Sequence, residues 1–393
     1  MKESTVFPIL PLGKICILHS GGTPRRSNNK YYGGNIPWAK IADLDTENGI
    51  VVDTEEYITV EGLQAINNRI FPKGSILLAM YGSIGKLAIA GRDISCNQAI
   101  LGIQIKDKEH LDINYLRLWL TSIRATLEFQ GRGVTQQNIS KSIVEKLEIP
   151  LPPLEEQRRI AAILDKADGV RRKRKEAIRL TEELLKSTFL EMFGDPVTNP
   201  KGWEIAKLGD FGKILTGNTP PRSVSENYGD EIEWIKSDNI TTPEHFLTEA
   251  EEKLSAKGKK IARTVPNGSV LVTCIAGSRS SIGRAALTDR EVAFNQQINA
   301  VVPNSDVDPY FLYGQLFVAQ HLVQAQSTDS MKGMVNKSKF SSIEFIKPPS
   351  QKQQKFGKWF LGFHRYYMNL ISGEEQSENL FYSLLQRAFR GEL

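Results

Sequence analysis

The sequence is written twice. Leu12-Gly13 is answered by Leu208-Gly209, and Gly22-Thr23-Pro24 by Asn218-Thr219-Pro220. Tyr32 pairs with Tyr228, and Ile36-Pro37-Trp38-Ala39-Lys40 with Ile232-Glu233-Trp234-Ile235-Lys236. Further on, Pro72-Lys73-Gly74-Ser75 matches Pro266-Asn267-Gly268-Ser269, Ser83-Ile84-Gly85-Lys86 matches Ser281-Ile282-Gly283-Arg284, and Asn97-Gln98 matches Asn295-Gln296. The offset drifts between 194 and 198 among these pairs, as it does when loops gain or lose residues. A period this long is a whole domain and not a solenoid unit. A chain of 393 residues holds two such domains, each able to bury its own core. Two similar domains imply two similar tasks at two places.

Within each copy, short strand-like runs alternate with turns rich in Gly, Pro and Asn, the pattern of a mixed α/β fold with much irregular loop. Ser75–Met80 and Ala99–Ile103 read as strands in the first copy, and Ser269–Thr273 in the second. Apolar spacing predicts helices over Asn114–Leu127 and Pro309–Val323. Each copy closes on prolines: Pro150, Pro152 and Pro153, then Pro348 and Pro349. These set the expected boundaries: a first domain over 1–150, a long helix over 151–193, a second domain over 194–349 and a final long helix over 350–393.

No proline occurs from Leu154 to Phe193, and Ile160, Ile163, Leu164, Ala167, Val170, Ile178, Leu185, Phe189 and Met192 recur at heptad-like spacing. The second helical stretch carries Phe356, Phe360, Phe363, Tyr367, Leu370, Phe381, Leu385 and Phe389, with Gly362 and Ser372-Gly373 predicting a kink or break. Neither stripe is short enough to be covered by one domain, so the two helices are expected to pack antiparallel in a coiled-coil-like rod, with the domains related by a pseudo-two-fold.

Net charge is +5, and the stretch Lys166–Arg179 alone carries seven basic and two acidic residues, also +5. Such a run fits a polyanion partner, and equally a solvated helix face. Three unpaired cysteines, Cys16, Cys96 and Cys274, read as reduced thiols of a cytoplasmic protein. No apolar run approaches the length that spans a bilayer, and the start lacks a signal-peptide pattern.

The run Ile149-Pro150-Leu151-Pro152-Pro153-Leu154-Glu155-Glu156-Gln157-Arg158-Arg159-Ile160-Ala161-Ala162-Ile163-Leu164-Asp165, with Met192-Phe193-Gly194-Asp195-Pro196 closing the helix, resembles the central region of the DNA-specificity subunit of Type I restriction-modification systems. The resemblance covers the whole chain. It implies target-recognition domains that each read half of a split double-stranded DNA site, and paired helices acting as a ruler for the unread gap. It further implies a scaffold for two methyltransferase (modification) subunits and for motor-nuclease (restriction) subunits. S-adenosylmethionine is then expected on the methyltransferase, and no cofactor on this chain. The second copy departs from the motif: Gln351-Lys352-Gln353-Gln354 stands in place of Leu154-Glu155-Glu156-Gln157, and at the repeat offset of 196 only Gln157 and Gln353 agree.

No catalytic or metal constellation emerges from the residues. Gly131-Arg132-Gly133 lacks the rest of a dinucleotide loop, and Ser83-Ile84-Gly85-Lys86 lacks the upstream glycine of a phosphate loop. Five scattered histidines and three lone cysteines give no metal spacing. The chain is therefore expected to perform no bond chemistry.

Its loops are instead rich in the donors that read base edges, Arg and Lys for guanine, Asn and Gln for adenine. Three pairs of stretches qualify. Arg25, Arg26 and Lys30 share a loop with Tyr31 and Tyr32, and Arg222 stands in its counterpart. Lys86 closes Tyr81–Lys86, opposite Arg279 and Arg284. Arg132, Gln136 and Gln137 face Lys332, Asn336 and Lys337. Trp38 and Trp234, shared by both copies, are expected to anchor a core; base readers are expected where the copies differ. Two other functions stay open at this point: a specificity subunit serving a fused methyltransferase-nuclease, and a protein-only adaptor.

Overall fold

The computed structural model describes residues 7–46, 48–130, 138–240, 244–328 and 333–393. The chain divides into two compact units, 1–173 with 374–393, and 174–373. Each long helix thus contributes one half to each unit.

The strands of the first unit include β1 (Cys16–Ser20), β2 (Tyr32–Ala39), β3 (Ile50–Val51), β4 (Ile76–Ala79), β5 (Leu87–Ala90) and β6 (Ile100–Ile105). Five of them form a sheet in the order β1-β6-β4-β5-β3. β2 lies in a smaller sheet between Tyr57–Ile58 and Ser95–Cys96. The inward faces of the main sheet are apolar on both sides, which is why β4 is wholly buried and reads as an unbroken apolar run. The predicted helix over 114–127 is two: α1 (Ile113–Ser122) and α2 (Arg124–Gln130), interrupted at Ile123. A short α3 (Lys141–Glu145) follows, capped by Ser140.

The first long helix, α4 (Leu154–Phe193), runs 40 residues without interruption. Its opening half packs on the first unit: Ile160, Ala161 and Leu164 share a core with Phe381, Leu385 and Ala388 of the last helix. Arg159 donates to the carbonyl of Leu393 at 2.9 Å, and Arg171 pairs with Glu378 at 3.1 Å. Rising numbers on one helix meet falling numbers on the other, so the pairing here is antiparallel.

The second unit repeats the plan with β7 (Gly212–Thr216), β8 (Tyr228–Ile235), β9 (Val270–Thr273), β10 (Ala285–Leu287) and β11 (Ile298–Pro303). Its main sheet has the order β7-β11-β9-β10. Again the expected single helix is two, α5 (Pro309–Val318) and α6 (Gln320–Ala325), followed by α7 (Lys337–Ser341) and the long α8 (Ser350–Phe389). Tyr367 donates to Glu182 at 2.7 Å, and Phe356 packs on Phe189 and Phe193, so the pairing is antiparallel here too.

The break expected in α8 is absent. Gly373 lies within the continuous helix because a neighbour needs its missing side chain: a Cβ there would sit 2.2 Å from the Arg174 guanidinium. The basic run of α4 is also partly absorbed by structure. Arg171 bridges Asp168 and Glu378 and covers the Phe381 ring at 4.6 Å, while Arg172 pairs with Asp168. Arg179 pairs with Glu176 and Glu183.

Each long helix is locked to its domain by one buried glutamine. The Gln157 amide oxygen accepts from the backbone N–H of Asp112 at 2.9 Å, and its nitrogen donates to the carbonyls of His110 and Pro152. Gln353 does the same with the N–H of Asp308 at 3.1 Å and the carbonyl of Pro348 at 2.7 Å. Asp112 and Asp308 in turn cap α1 and α5. A buried amide whose groups are all paired fixes geometry, because leaving one unpaired costs its full desolvation. The glutamine shared by the two motif copies is therefore an internal fastener.

Candidate nucleic-acid interface

Strand register decides where the candidate loops emerge. Ser20 at the end of β1 faces Leu101, and Ala79 at the end of β4 faces Ile100, both at the start of β6. The loop after β1, the loop after β4 and the turn at 97–99 thus leave from one end of the sheet. Hydrogen bonds tie them together: Gly22 N–H to the Cys96 carbonyl at 2.8 Å, and Met80 N–H to that of Ala99 at 2.8 Å. Asn138 bridges to Tyr81 and so lies at the same end.

The second unit is built alike. Thr216 faces Asn299 and Thr273 faces Ile298. The N–H of Asn218 donates to Phe294 at 3.1 Å, and that of Cys274 to Gln297 at 2.8 Å. Gly333 and Met334 pair with Ala276 and Ile275. In each unit, stretches far apart in sequence are gathered into one rim.

The first loop of each rim is held by a duplicated cage. The Arg26 guanidinium lies 4.7 Å from the Tyr32 ring and 5.0 Å from Trp38; Arg222 lies 4.8 Å from Tyr228 and 5.0 Å from Trp234. Arg26 is ion-paired to Glu56 at 2.5 Å, and Arg222 to Glu252. Lys40 and Lys236 join the same carboxylates at 2.9 Å and 2.6 Å. Hydrogen bonds from Arg26 and Lys40 hold the Glu56 carboxyl below its usual range. For Glu252, burial pushes upward, and the bonds from Arg222 and Lys236 outweigh it.

The phenol oxygens of Tyr32 and Tyr228 donate to the carbonyls of Pro24 and Pro220 at 2.7 Å and 2.8 Å. Trp38 and Trp234, buried as expected of shared residues, donate to the carbonyls of Gly22 and Asn218. Thr23 bonds to Gln98, and Thr219 to Gln296. Arg26 and Arg222 are thus identical in both copies and already engaged. Their geometry is that of loop anchors, with the guanidinium spread over aromatic faces.

The other candidates fall into two groups. Arg25, Lys30, Arg279 and Lys337 are exposed on the rims, and no ion pair holds them among the described residues. Lys86 sits 3.2 Å from Asp45, Arg284 donates to the Ser280 carbonyl at 3.3 Å, and Asn336 caps α7 through the Lys339 N–H at 2.9 Å. Arg132, Gln136, Gln137 and Lys332 lie outside the described residues. Aligning the copies through the cage sets Arg25 against Pro221 and Lys30 against Glu226. The strand register sets Tyr81, bridged to Asn138, against Ile275, paired with Met334, and Ala99 against Gln297. Glu226 is itself paired with Lys257 at 2.5 Å. The carboxylates Glu56 and Glu252 carry no base-reading donor, and the signal for their role in the sequence is their 196-residue separation, which marks them as repeat partners. No group of three metal-ligating side chains occurs among the described residues, and no helix there is long and apolar enough to cross a membrane.

The sequence model of the Type I restriction modification DNA specificity domain matches residues 2–180 and again 200–376. This chain belongs to that family. Among curated members of the specificity-domain family, it is 30% identical over 237 residues to the Type I restriction enzyme MjaIX specificity subunit of Methanocaldococcus jannaschii. That match covers 56% of this chain and 54% of the relative. It is 31% identical over 200 residues to the HindI specificity subunit of Haemophilus influenzae, covering 49% and 42%. The matched stretch thus spans about half the length of these curated relatives. The specificity-domain fold is similar to that of the S subunit of a Type-I restriction-modification system from M. genitalium. The TM-score there is 0.59 at 16% identity, with 99% of this chain and 98% of that one covered.

Proposed function

We propose that this chain is a sequence-specific, non-catalytic specificity subunit that reads a bipartite duplex DNA site, one half with each rim. The observation that carries the reading is the coincidence of a family match on both halves with a rim in each half. Those rims carry residues that differ between the copies, such as Arg25 against Pro221 and Tyr81 against Ile275, on a shared frame. A shared frame with divergent tips is what two similar readers of two different half-sites require.

Two methyltransferase subunits, carrying S-adenosylmethionine, and motor-nuclease subunits complete the assembly in this reading, in the cytoplasm. Exposed apolar residues on the long helices support docking there: Leu180 and Leu184 one turn apart on α4, and Leu361 and Tyr366 on α8, are 42–59% exposed. In this reading the paired long helices set the gap between half-sites; α4 alone is 40 residues, about 60 Å of helix.

Matching seven-residue deletions in α4 and α8 keep the apolar register and remove about 10 Å of helix, or about 3 base pairs of DNA. Mapping methylated adenines in cells carrying this chain with its methyltransferase should then show the same half-sites at a gap about 3 base pairs shorter. An unchanged gap would end the ruler. The isolated chain, incubated with DNA, magnesium and S-adenosylmethionine, should neither cut nor methylate.

A further inference from the structure

One side chain on the first rim has chemistry unlike the rest. Phe129, on α2, is 75% exposed, the highest value of any large apolar residue among those described. Its outward direction is set by the helix: Leu127, two residues earlier and so on the opposite face, is fully buried. α2 lies against the rim loop after β4, because a Cβ added at Gly85 would sit 2.7 Å from the Arg124 side chain. The same loop exposes a second aromatic, Tyr81. In the second unit the position of Phe129 is taken by Ala325, and that of Tyr81 by Ile275.

We propose that Phe129 is an apolar base contact of the first recognition domain, its ring meeting the C5-methyl of a thymine in the major groove. This rests on the function proposed above. Polar groups on a rim find substitutes in water; an exposed phenyl ring gains only when it meets another apolar surface. The base edges of duplex DNA offer one such surface, the thymine methyl, and phenylalanine is among the side chains that read it. A half-site presented to an adenine methyltransferase holds at least one A·T pair and so at least one such methyl. The asymmetry with Ala325 makes the contact a property of one half-site only.

The test uses the full chain assembled with its methyltransferase, on a duplex carrying the mapped site, each thymine of the first half-site replaced in turn by deoxyuridine. The wild-type complex should lose about fourfold in affinity at one position, the effect of one buried methyl, and none in the second half-site. Phe129→Ala should bind about tenfold more weakly and no longer distinguish thymine from deoxyuridine there. Phe129→Ala retaining the wild-type sensitivity overturns the proposal. So does a loss of affinity without methyl sensitivity at any thymine, or a loss of methyltransferase association, which would make Phe129 a protein contact. If the wild-type complex shows no sequence preference at all, the function proposed above fails instead.

Discussion

The two units share a frame and differ in what fills it. Where the first unit meets the long helices, the contact is mostly aliphatic, with Ile160, Ala161, Leu164, Leu385 and Ala388 beside the rings of Phe381 and Phe389. The second unit makes the same junction from aromatic rings: Phe189, Phe193, Phe311, Phe356, Phe360, Phe363 and Tyr367 are all buried in one cluster. The fasteners, by contrast, share their anchoring bonds in both units, Gln157 with Asp112 and Pro152, Gln353 with Asp308 and Pro348. Apolar packing tolerates exchange of shape when volume is kept, whereas a buried amide with directional bonds does not. The repeat has therefore diverged fastest where the physics is forgiving.

Removing one ring from the aromatic junction should produce the largest effect. Phe356 is fully buried, touches Phe189, Phe193 and Trp359, and closes on Gly314, where an added Cβ would lie 2.8 Å from its ring. Phe356→Ala should cost about 3–5 kcal/mol, measured by denaturant unfolding, and should loosen the second unit first. A cost below about 1 kcal/mol would mean that the cluster collapses to fill the space and that the aromatic junction is no more rigid than the aliphatic one.

A second contrast is acid sensitivity. His245 is enclosed by Tyr313, Phe317, Phe360, Phe363, His364 and Tyr367, with its Nδ1 2.7 Å from the Tyr313 hydroxyl. Burial first, and the neighbouring His364 second, push its pKa down to about 3. His19 and His110 of the first unit are exposed. A histidine depressed on folding stabilises the native state fully above its unfolded pKa of about 6.5, and loses that contribution as pH falls toward the folded value. Between pH 7 and pH 5 the second unit should lose about 2 kcal/mol, and His245→Phe should flatten that slope. Equal acid sensitivity in His245→Phe and wild type would place the titrating group elsewhere.

These contrasts show what the order of residues could reveal. Duplication, the two long helices and the buried role of Trp38 and Trp234 were legible because they rest on period and repetition. The break at Ile123 was not, since α1 and α2 share one apolar stripe and only tertiary packing turns the chain there. Gly373 misled for a related reason: glycine marks either a weak point or a close approach, and only the position of Arg174 tells which. Within the rims, basic residue type pointed to Arg26 and Arg222, but their role as anchors depends on Glu56 and Glu252, 30 residues downstream in each case. Donor chemistry can be read from a letter; whether the donor is already engaged cannot.

The subtlest difference between the units is one charge on each first loop. Lys30 and Glu226 occupy the same place beside the duplicated cage, and their backbone carbonyls accept from Thr59 and Ser255 in the same way. The frame is equal and only the sign differs, so exchanging the charges changes electrostatics with little change in fold. A rim lysine near DNA acts on phosphates, which position the protein without reading sequence. Lys30→Glu should therefore weaken binding of the assembled complex several-fold at low salt and lower the slope of log affinity against log salt by about 1, leaving the methylated sequence unchanged. Glu226→Lys frees Lys257 from its ion pair and adds a cation, so it should strengthen binding and steepen the slope by a similar amount. A changed recognition sequence in Lys30→Glu would turn this lysine from a phosphate contact into a base reader. The two loops would then differ in what they read as well as in how tightly they hold.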